Sequence, residues 1–470
     1  MELLVPLNSR SEKPLYEQIY SYIRKEIRDG SLKAAERLPS TRKMAGHLNV
    51  SRSTTQMAYE QLVAEGYIEA VPCRGYFVAR IEELIEVKSD RTDGMLAETD
   101  KSRTAYQVDF SPRGIALEHF PYHVWRKINR NTLVDDNKRL FHAGNPQGEP
   151  AFRETIRSYL HSARGVNCTA EQIIVGAGSE YLLMLLSQIL GSEHRIAMEN
   201  PTYKQAYRVF ISLGYQVRPV DMDESGMNPV FLDTSGADVA YVMPSHQYPM
   251  GIVMPVGRRQ ELLKWAAKKN GRYLIEDDYD SEFRYKGKPV PALQGMDRND
   301  RVIYLGTFSQ SVAPAIRVSY MVLPPDLLKT YRKQAGFYAS TVSRIDQNVL
   351  YQFLSQGHFE RHLNRMRAVY KTKHDALLLG LRRLEKDFVI RGEYAGLHIL
   401  LTDKNGRPES ELIRLAGEVG VKVYGLSSYY INPKQNCCPS TVMLGYANLN
   451  EEEIGRGAQL LVSSWIPEKE

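Results

Sequence analysis

The stretch Ile173-Ile174-Val175-Gly176-Ala177-Gly178-Ser179-Glu180 passes from an apolar run through a glycine-rich turn into a helical pattern. A buried strand followed by such a turn leaves free backbone N–H groups at the start of the helix, where they can hold a phosphate. The glycines allow the backbone to approach a ligand closely. A short glycine-rich turn is weak evidence by itself, so its meaning depends on the motifs around it.

From residue 108 onward, short apolar runs alternate with amphipathic helical stretches. The runs typical of buried strands are residues 173–175, 195–198, 239–242, 273–276, 302–305 and 318–323. The helical stretches between them include residues 179–190, 203–213 and 258–269. This alternation predicts an α/β fold with a mostly parallel central sheet flanked by helices. The C-terminal part begins with long helical stretches and ends in short strands and a last helix, which predicts a smaller lobe.

Two further motifs follow predicted strands. Tyr203, after Asn200-Pro201-Thr202, can present its ring to a flat cofactor, and ordinary packing is the alternative. In Glu276-Asp277-Asp278-Tyr279, acids and a phenol follow a buried run. A carboxylate beside a pyridine nitrogen keeps that ring protonated, as the chemistry of pyridoxal 5'-phosphate (PLP) requires. A solvated acidic loop or a hard-cation site are the alternatives, but no oxygen-ligand loop pattern is visible.

The last of these motifs is Gly306-Thr307-Phe308-Ser309-Gln310-Ser311, with Arg317 seven residues after Gln310. An arginine at this place can clamp a phosphate with paired hydrogen bonds. The alternative for Arg317 alone is an ordinary surface position.

Taken in order, these motifs resemble the fold-type I aminotransferase scaffold over roughly residues 108–466. The resemblance implies PLP as the cofactor and assigns a role to each motif. The implied contacts are Ser179 and Glu180 (backbone and side chain), Ser309, Ser311 and Arg317 at the phosphate, Tyr203 stacked on the ring, Asp277 at the ring nitrogen and Tyr279 at the ring hydroxyl.

Gln310 stands where this resemblance places the lysine that forms a Schiff base with PLP. An amide cannot form that bond, so covalent anchoring and lysine-mediated proton transfer are both lost. We therefore expect a chain with no catalytic residue, which binds PLP non-covalently or as an adduct and does not turn substrate over efficiently. Gln310 is either natural or a replacement of a native lysine, and covalent attachment would return with lysine.

Other positions also depart from the aminotransferase pattern. Tyr248 precedes Pro249-Met250-Gly251, where many aminotransferases have an asparagine for the ring hydroxyl. Met443 or Ser428 stands where an arginine for the substrate carboxylate is expected. Gln205 and Ser428 stand where GABA-responsive relatives have arginines. We therefore do not expect a γ-amino acid effector, but PLP itself or a small amino acid such as alanine of either hand.

The N-terminal residues predict a separate, smaller fold. Residues 14–30 have helical spacing, a second helix opens after Ser40, and a third opens at Ser51 and runs to about Glu65. Residues 67–78 predict two short strands around a tight turn. Two helices joined by a very short turn and followed by a hairpin predict a winged helix-turn-helix.

This stretch resembles the GntR type of winged helix at residues 38–42, 50–54, 65–68 and 74–78. The resemblance implies that double-stranded promoter DNA is a partner. The implied DNA contacts are Arg42, Arg52, Thr54, Arg74 and Gly75. The alternative is a helical hairpin that only packs or dimerises.

Composition supports DNA binding only weakly. The net charge is +6, and residues 1–80 hold 12 Lys/Arg against 9 Asp/Glu, an excess too mild to establish DNA binding. No apolar run is long enough for a membrane span, and no signal peptide is visible, so we expect a cytoplasmic protein that does not contact membranes. The four cysteines have no metal-ligand spacing, so no metal site is expected.

As a whole the chain resembles the MocR/GabR family of bacterial transcription regulators. The expected domains are a DNA-binding domain (1–79), a linker (80–106) and an aminotransferase-like effector-binding and dimerisation domain (107–470, with lobes at about 107–340 and 341–470). The resemblance implies a homodimer in which each DNA-binding domain packs against the partner's large domain. The expected function is a regulator of vitamin B6 or amino-acid metabolism genes that senses PLP or its adduct with an amino compound.

Two alternatives remain open at this point. One is a PLP-dependent aminotransferase with an accessory winged helix, inactivated at Gln310. The other is an interaction protein whose winged helix does not contact DNA.

Overall fold

A computed structural model describes residues 5–8, 13–80, 106–285, 290–392, 395–431 and 440–466. The chain forms two compact units, residues 1–103 and 104–470. The linker predicted for residues 80–106 lies, apart from its two ends, outside the described residues. Within the described ranges, no helix is both long and apolar enough to cross a membrane.

The N-terminal unit has three helices and an antiparallel hairpin. They are α1 (Leu15–Arg28), α2 (Thr41–Leu48), α3 (Arg52–Ala64), β1 (Ile68–Val71) and β2 (Gly75–Val78). Every element predicted for this stretch is therefore present. Their buried apolar side chains form one core, which includes Ile19, Ile23, Met44, Tyr59 and Leu62.

The C-terminal unit alternates strands and helices over its first half, as predicted. Its elements up to the last strand of the large sheet are β3 (Val108–Asp109), α4 (Tyr122–Thr132), α5 (Pro150–Arg164), β4 (Ile173–Gly176), α6 (Ser179–Leu190), β5 (Arg195–Asn200), α7 (Lys204–Ser212), β6 (Gln216–Asp223), β7 (Gly226–Met227), α8 (Pro229–Thr234), β8 (Val239–Val242), α9 (Val256–Ala267), β9 (Tyr273–Asp278), β10 (Val302–Thr307) and β11 (Ser319–Val322). The remaining elements are α10 (Pro325–Gln334), α11 (Arg344–Ser355), α12 (His358–Leu381), β12 (Phe388–Arg391), β13 (His398–Asp403), α13 (Glu409–Glu418), β14 (Val421–Lys422), β15 (Tyr424–Gly425), β16 (Thr441–Gly445) and α14 (Glu451–Trp465).

The large sheet has eight strands in the order β4-β11-β10-β9-β8-β5-β6-β7. The five strands from β10 to β6 run parallel, and β11 and β7 are antiparallel to their neighbours. The predicted α/β architecture and all six predicted strands are confirmed. β6 and β7 were not predicted. Only one of the eight residues of β6 is buried, so this strand lacks the apolar run that marks the others.

A second, antiparallel sheet forms the core of the small lobe, with the strand order β12-β13-β16-β15. The structure moves the lobe boundaries predicted near 107 and 340. Val108 and Phe110 are buried in the small-lobe core, where β3 pairs with β14. At the other boundary, α12 crosses between the cores, with Tyr370 in the large lobe and Leu377 in the small lobe.

Candidate functional site

Polar side chains from several loops meet at one edge of the large sheet. Parallel strands end at the same edge, so the residues that follow β4, β9 and β10 lie close together there. They surround a cavity of about 240 Å³, which is slightly below the range of about 300–1,000 Å³ usual for small-molecule sites. The cavity is lined by eight of the nine residues for which a PLP contact was predicted: Ser179, Glu180, Tyr203, Asp277, Tyr279, Ser309, Gln310 and Arg317.

Gly178 shapes one end of this cavity. Its φ is +95°, and a Cβ at this position would clash with the guanidinium of Arg317, so only glycine fits. It precedes α6, whose N-terminus has no side-chain cap and therefore presents backbone N–H groups. A glycine-only cradle beside an uncapped helix start and an arginine fits an anionic phosphate.

Arg317 already has an anionic partner in this structure. Its Nη2 lies 2.6 Å from Oε2 of Glu180, in the first turn of α6. Burial raises the pKa of Glu180, but its backbone N–H and Arg317 outweigh that effect and hold the pKa below its usual value. An ionised carboxylate donates no hydrogen bond and repels phosphate. The geometry therefore disfavours the side-chain contact predicted for Glu180.

Asp277 lies on β9 and also lines the cavity. It is almost fully buried, and the hydroxyl of Tyr241 on the neighbouring strand β8 donates a hydrogen bond to it. Burial raises the pKa of Asp277 to about 7, although the hydrogen bond from Tyr241 opposes the rise. A nearby cation favours the ionised form of a buried carboxylate. This environment therefore fits a protonated pyridine nitrogen.

Aromatic rings also line the cavity. Tyr203 immediately precedes α7, and its ring lies perpendicular to that of Tyr248, with the ring centres 6.0 Å apart. The hydroxyl of Tyr279 lies 2.9 Å from Nδ1 of His246, which is itself 2.8 Å from Oδ2 of Asp280. The hydroxyl that was predicted to contact the cofactor is thus engaged with a buried histidine.

The turn that carries Gln310 follows β10. The backbone N–H of Ser309 donates to Oγ1 of Thr307 at 3.1 Å, which holds the turn in place. Gln310 is half-buried and lines the cavity. Ser311 does not line it: this residue is buried, and its Oγ has no hydrogen-bond partner among the described residues. Arg317 has a left-handed backbone with φ +51°, a conformation that is uncommon for arginine and concentrates at functional sites.

The cavity also contains residues that sequence reasoning missed. They are Pro112, Arg113, Met243, Asp280, Thr307, Pro314, Leu397 and His398, and Tyr248 lines it as well. Burial lowers the pKa of His398 to about 3, so this ring is neutral, and its Nε2–H donates to the carbonyl of Pro249 at 2.8 Å. Met443 and Ser428, which stand where arginines are expected, do not line the cavity. In the described part of the chain, no group of three His, Cys, Asp or Glu residues is placed to hold a metal ion.

A candidate DNA interface lies on α2 and α3 of the N-terminal unit. Ser40 and Ser51 cap these helices, accepting the backbone N–H of Lys43 and Thr54, each at 3.2 Å. Arg42 is exposed in the first turn of α2. Neither helix has an acidic residue in its first turn. Both N-termini therefore keep the positive end of the helix dipole that favours phosphates.

The start of α3 is held firmly against α2. The exposed Arg52 is its first residue, and Oγ1 of Thr54 lies 2.7 Å from Oγ of Ser51. The buried Thr55 donates through Oγ1 to the carbonyl of Thr41 at 2.9 Å. The predicted contact residues therefore stand on a fixed helix start.

Arg74 and Gly75 lie at the tip of the hairpin. Arg74 is exposed, with its guanidinium 6.0 Å from the centre of the Phe77 ring. Gly75 has φ +109°, which a side chain would strain. Arg37, which sequence reasoning missed, lies close by, because a Cβ at position 75 would be 3.6 Å from its Nε.

Two family descriptions match this chain. "Bacterial regulatory proteins, gntR family" covers residues 15–78, and "Aminotransferase class I and II" covers residues 116–461. The chain is similar to the HTH-type transcriptional regulator YhdI of Bacillus subtilis, with 39% identity over 469 residues and 99% of each chain covered.

Two further relatives carry more specific names. The probable rhizopine catabolism regulatory protein MocR of Rhizobium meliloti is 30% identical over 98% of this chain and 96% of its own. The HTH-type pyridoxine biosynthesis transcriptional regulator PdxR of Corynebacterium glutamicum is 31% identical, over 91% of this chain and 92% of its own.

Among solved structures, the kynurenine aminotransferase of Pyrococcus horikoshii matches with a TM-score of 0.67 at 24% identity. The match covers 77% of this chain and 91% of that enzyme. The fold-type I aminotransferase fold predicted from the strand-end motifs is thereby confirmed.

Proposed function

We propose that this chain is a PLP-responsive regulator of transcription. It belongs to the family of HTH-type transcriptional regulators that join a GntR-type DNA-binding domain to an aminotransferase class I and II domain. Its cavity binds PLP, free or combined with a small amino compound, and its winged helix binds promoter DNA. Occupancy of the cavity changes the affinity for DNA, which is a coupling free energy between two sites. The regulator acts in the bacterial cytoplasm as a homodimer on two half-sites.

The target genes proposed are those of vitamin B6 or amino-acid metabolism. The name of the relative PdxR, which refers to pyridoxine biosynthesis, supports this choice. The cofactor itself supplies an aldehyde that combines reversibly with primary amines. A protein that binds it can therefore respond both to the vitamin and to amino compounds.

The observation that carries the proposal is one cavity lined both by an arginine beside an uncapped helix start and by a buried carboxylate. Arg317 and the uncapped start of α6 would hold the phosphate. Asp277 would face the ring nitrogen, and Tyr203 would cover the ring. The charges of these residues match those of a phosphorylated pyridine.

Gln310 makes the occupancy reversible in this proposal. Its amide cannot bond covalently to the aldehyde, and it has no basic nitrogen to move a proton during turnover. The cofactor is therefore retained only by non-covalent contacts, and we expect no efficient transamination.

An absorbance titration with PLP tests the cavity. We expect this chain to bind PLP and to lose it on dialysis. The Gln310→Lys variant should instead gain an absorbance band that survives dialysis and is fixed by borohydride reduction. If neither protein alters the PLP spectrum, the proposed cofactor site is wrong. Multiple turnovers of an amino donor and a keto acid by the lysine variant would favour the aminotransferase alternative.

DNA binding needs its own test, with and without PLP. Arg52→Ala and Arg74→Ala should weaken binding to promoter DNA and reduce the slope of log affinity against log salt by about one for each lost phosphate contact. Arg28→Ala, at an exposed position in the last turn of α1, is the matched control and should leave both unchanged. Absence of specific promoter binding under all these conditions would contradict the proposal.

A further inference from the structure

The cavity contains a second cation besides Arg317. Arg113 lines it from a segment between β3 and α4. Its side chain is exposed, and within the described ranges its guanidinium makes no hydrogen bond or ion pair. Arg317 differs in this respect because it is paired with Glu180. Arg113 thus presents an uncompensated positive charge to whatever enters the cavity.

The backbone that carries Arg113 is held on both sides by the small lobe. The N–H of Phe110 donates to the carbonyl of Lys422 at 3.1 Å, and the N–H of Gly445 donates to the carbonyl of Phe110 at 2.9 Å. A Cβ on Gly445 would clash with the backbone of Ser111, so this packing is close. The ring of Pro112 fixes the φ of Pro112 itself, the residue before Arg113. The backbone just before Arg113 is therefore fixed against the small lobe, and the exposed side chain of Arg113 extends from it to the cavity.

Arg113 acts on a different part of the cavity from Arg317. Burial raises the pKa of Tyr203 to about 12, and the positive charges of both arginines oppose this rise. Arg113 also opposes the rise in pKa that burial causes in Tyr248 and Tyr429, whose hydroxyls lie 2.9 Å apart. Arg317 instead points to the start of α6, where it meets Glu180. The cavity is therefore lined by two guanidinium groups with different surroundings, one paired with Glu180 and one beside the tyrosines.

We propose that Arg113 binds the carboxylate of the amino compound that combines with PLP, so that the effector is a small amino acid and not a simple amine. This inference rests on the proposed PLP site. Met443 and Ser428 replace the arginines expected elsewhere, and Arg113 and Arg317 are the two cationic side chains among the described residues that line the cavity. A guanidinium holds a carboxylate with two parallel hydrogen bonds, which supports discrimination against ligands that lack it. The small volume favours a short side chain such as that of alanine.

Two pairs of stable ligands test this directly. N-(5'-phosphopyridoxyl)alanine, prepared with L- and with D-alanine, differs from N-(5'-phosphopyridoxyl)ethylamine only by the carboxylate. Neither needs a covalent bond to Gln310. Calorimetric titrations of the full-length chain should show that one alanine compound binds about tenfold or more tightly than the ethylamine compound, as a charge-assisted hydrogen-bonded pair provides.

Three variants assign the effect to Arg113. Arg113→Gln should abolish the preference for the carboxylate, while its affinity for the ethylamine compound stays within about twofold. Arg113→Lys keeps the charge but loses the planar fork, so its preference should be intermediate. Arg383→Gln, at an exposed position in the small lobe outside the cavity, should behave as the unmodified chain.

The outcomes separate the two proposals. If the preference persists in Arg113→Gln, or if the unmodified chain binds the alanine and ethylamine compounds equally, the role of Arg113 is refuted while the PLP site stands. If the unmodified chain binds none of these phosphopyridoxyl compounds, the PLP site fails and this inference fails with it. Binding of the ethylamine compound also reports that each variant is folded.

Discussion

Replacing Glu180 with glutamine should strengthen the binding of a phosphate-bearing pyridoxyl ligand. In the structure Oε2 of Glu180 lies 2.6 Å from Nη2 of Arg317, the side chain proposed to clamp the phosphate. The phosphate must take this guanidinium over from the carboxylate and then tolerate the carboxylate nearby. Removing the negative charge should remove both the competition and the repulsion.

The expected gain is modest because the ion pair is open to solvent. The side chains of Arg317 and Glu180 are 52% and 35% exposed. Under solvent-like conditions two unit charges about 4 Å apart interact by about 1 kcal/mol. A phosphate monoester carries about 1.5 to 2 negative charges near neutral pH. After screening by salt, we expect a net gain of about 1 kcal/mol, which is about a fivefold increase in affinity.

Calorimetric titration with pyridoxamine 5'-phosphate measures this gain without any covalent chemistry. Pyridoxamine, which lacks the phosphate, is the control ligand and should bind both proteins alike. Glu154→Gln is the matched control protein, since it breaks an exposed ion pair with Arg157 at 2.7 Å, and neither residue lines the cavity. The reasoning is refuted if Glu180→Gln weakens binding of the phosphate compound, or if pyridoxamine gains as much.

Three further substitutions have defined outcomes. Burial holds the folded-state pKa of Asp277 at about 7, above its unfolded value of about 3.9. The stability that protonated Asp277 contributes is therefore fully present below about pH 4 and is lost as the pH rises through about 7. The urea midpoint of the unmodified chain should fall between about pH 5 and pH 8, and the fall should be smaller in Asp277→Asn. Gly396→Ala should lower the free energy of urea unfolding by about 1–3 kcal/mol more than Gly406→Ala does. A Cβ at position 396 would clash with the ring of His246, whereas a Cβ at position 406 meets nothing within 4 Å, and the two glycines have similar positive φ. Ser51→Ala removes the cap of α3 and should cost about 1 kcal/mol, measured as about fivefold faster amide hydrogen exchange in that helix.

Each of these has an outcome that contradicts it. An unchanged pH dependence in Asp277→Asn would mean that this carboxylate is not held protonated by burial. Equal costs for the two glycine substitutions would mean that positive φ alone, and not contact with His246, sets the penalty. Hydrogen exchange that accelerates in α1 as much as in α3 would indicate general loosening of the N-terminal unit.

The large sheet was predictable because its central strands are buried on both faces and therefore read as continuous apolar runs. β6 was missed because most of its residues are exposed, so its sequence carries no such run. The lobe boundary was misplaced for a different reason. α12 is one unbroken helix whose Tyr370 and Leu377 enter different cores, and a helical pattern does not reveal which core an apolar residue joins.

The site was predictable to the extent that its residues follow strands. The turns after β4, β9 and β10 are local motifs, and the parallel sheet brings them together at one edge. The pair of Glu180 and Arg317 spans 137 residues of sequence, so no local pattern indicates that the acid neutralises the arginine. Arg113 lies in a segment without helical or strand period, and its approach to the cavity depends on pairing between β3 and β14.

Two residues of the proposed site, Gln310 and Glu180, should both weaken the retention of the cofactor. Under the proposed function, Gln310 would leave no covalent bond to the cofactor, and Glu180, which is paired with Arg317, would compete with the phosphate. An enzyme gains from a cofactor that never leaves, but a sensor must change its occupancy as the ligand concentration changes, which requires a dissociation constant near that concentration. A cavity that keeps the ring and phosphate contacts and loses the covalent anchor meets this requirement. Under the proposed function, Gln310 and Glu180 therefore set the concentration at which the regulator responds, and each should shift that threshold when it is replaced.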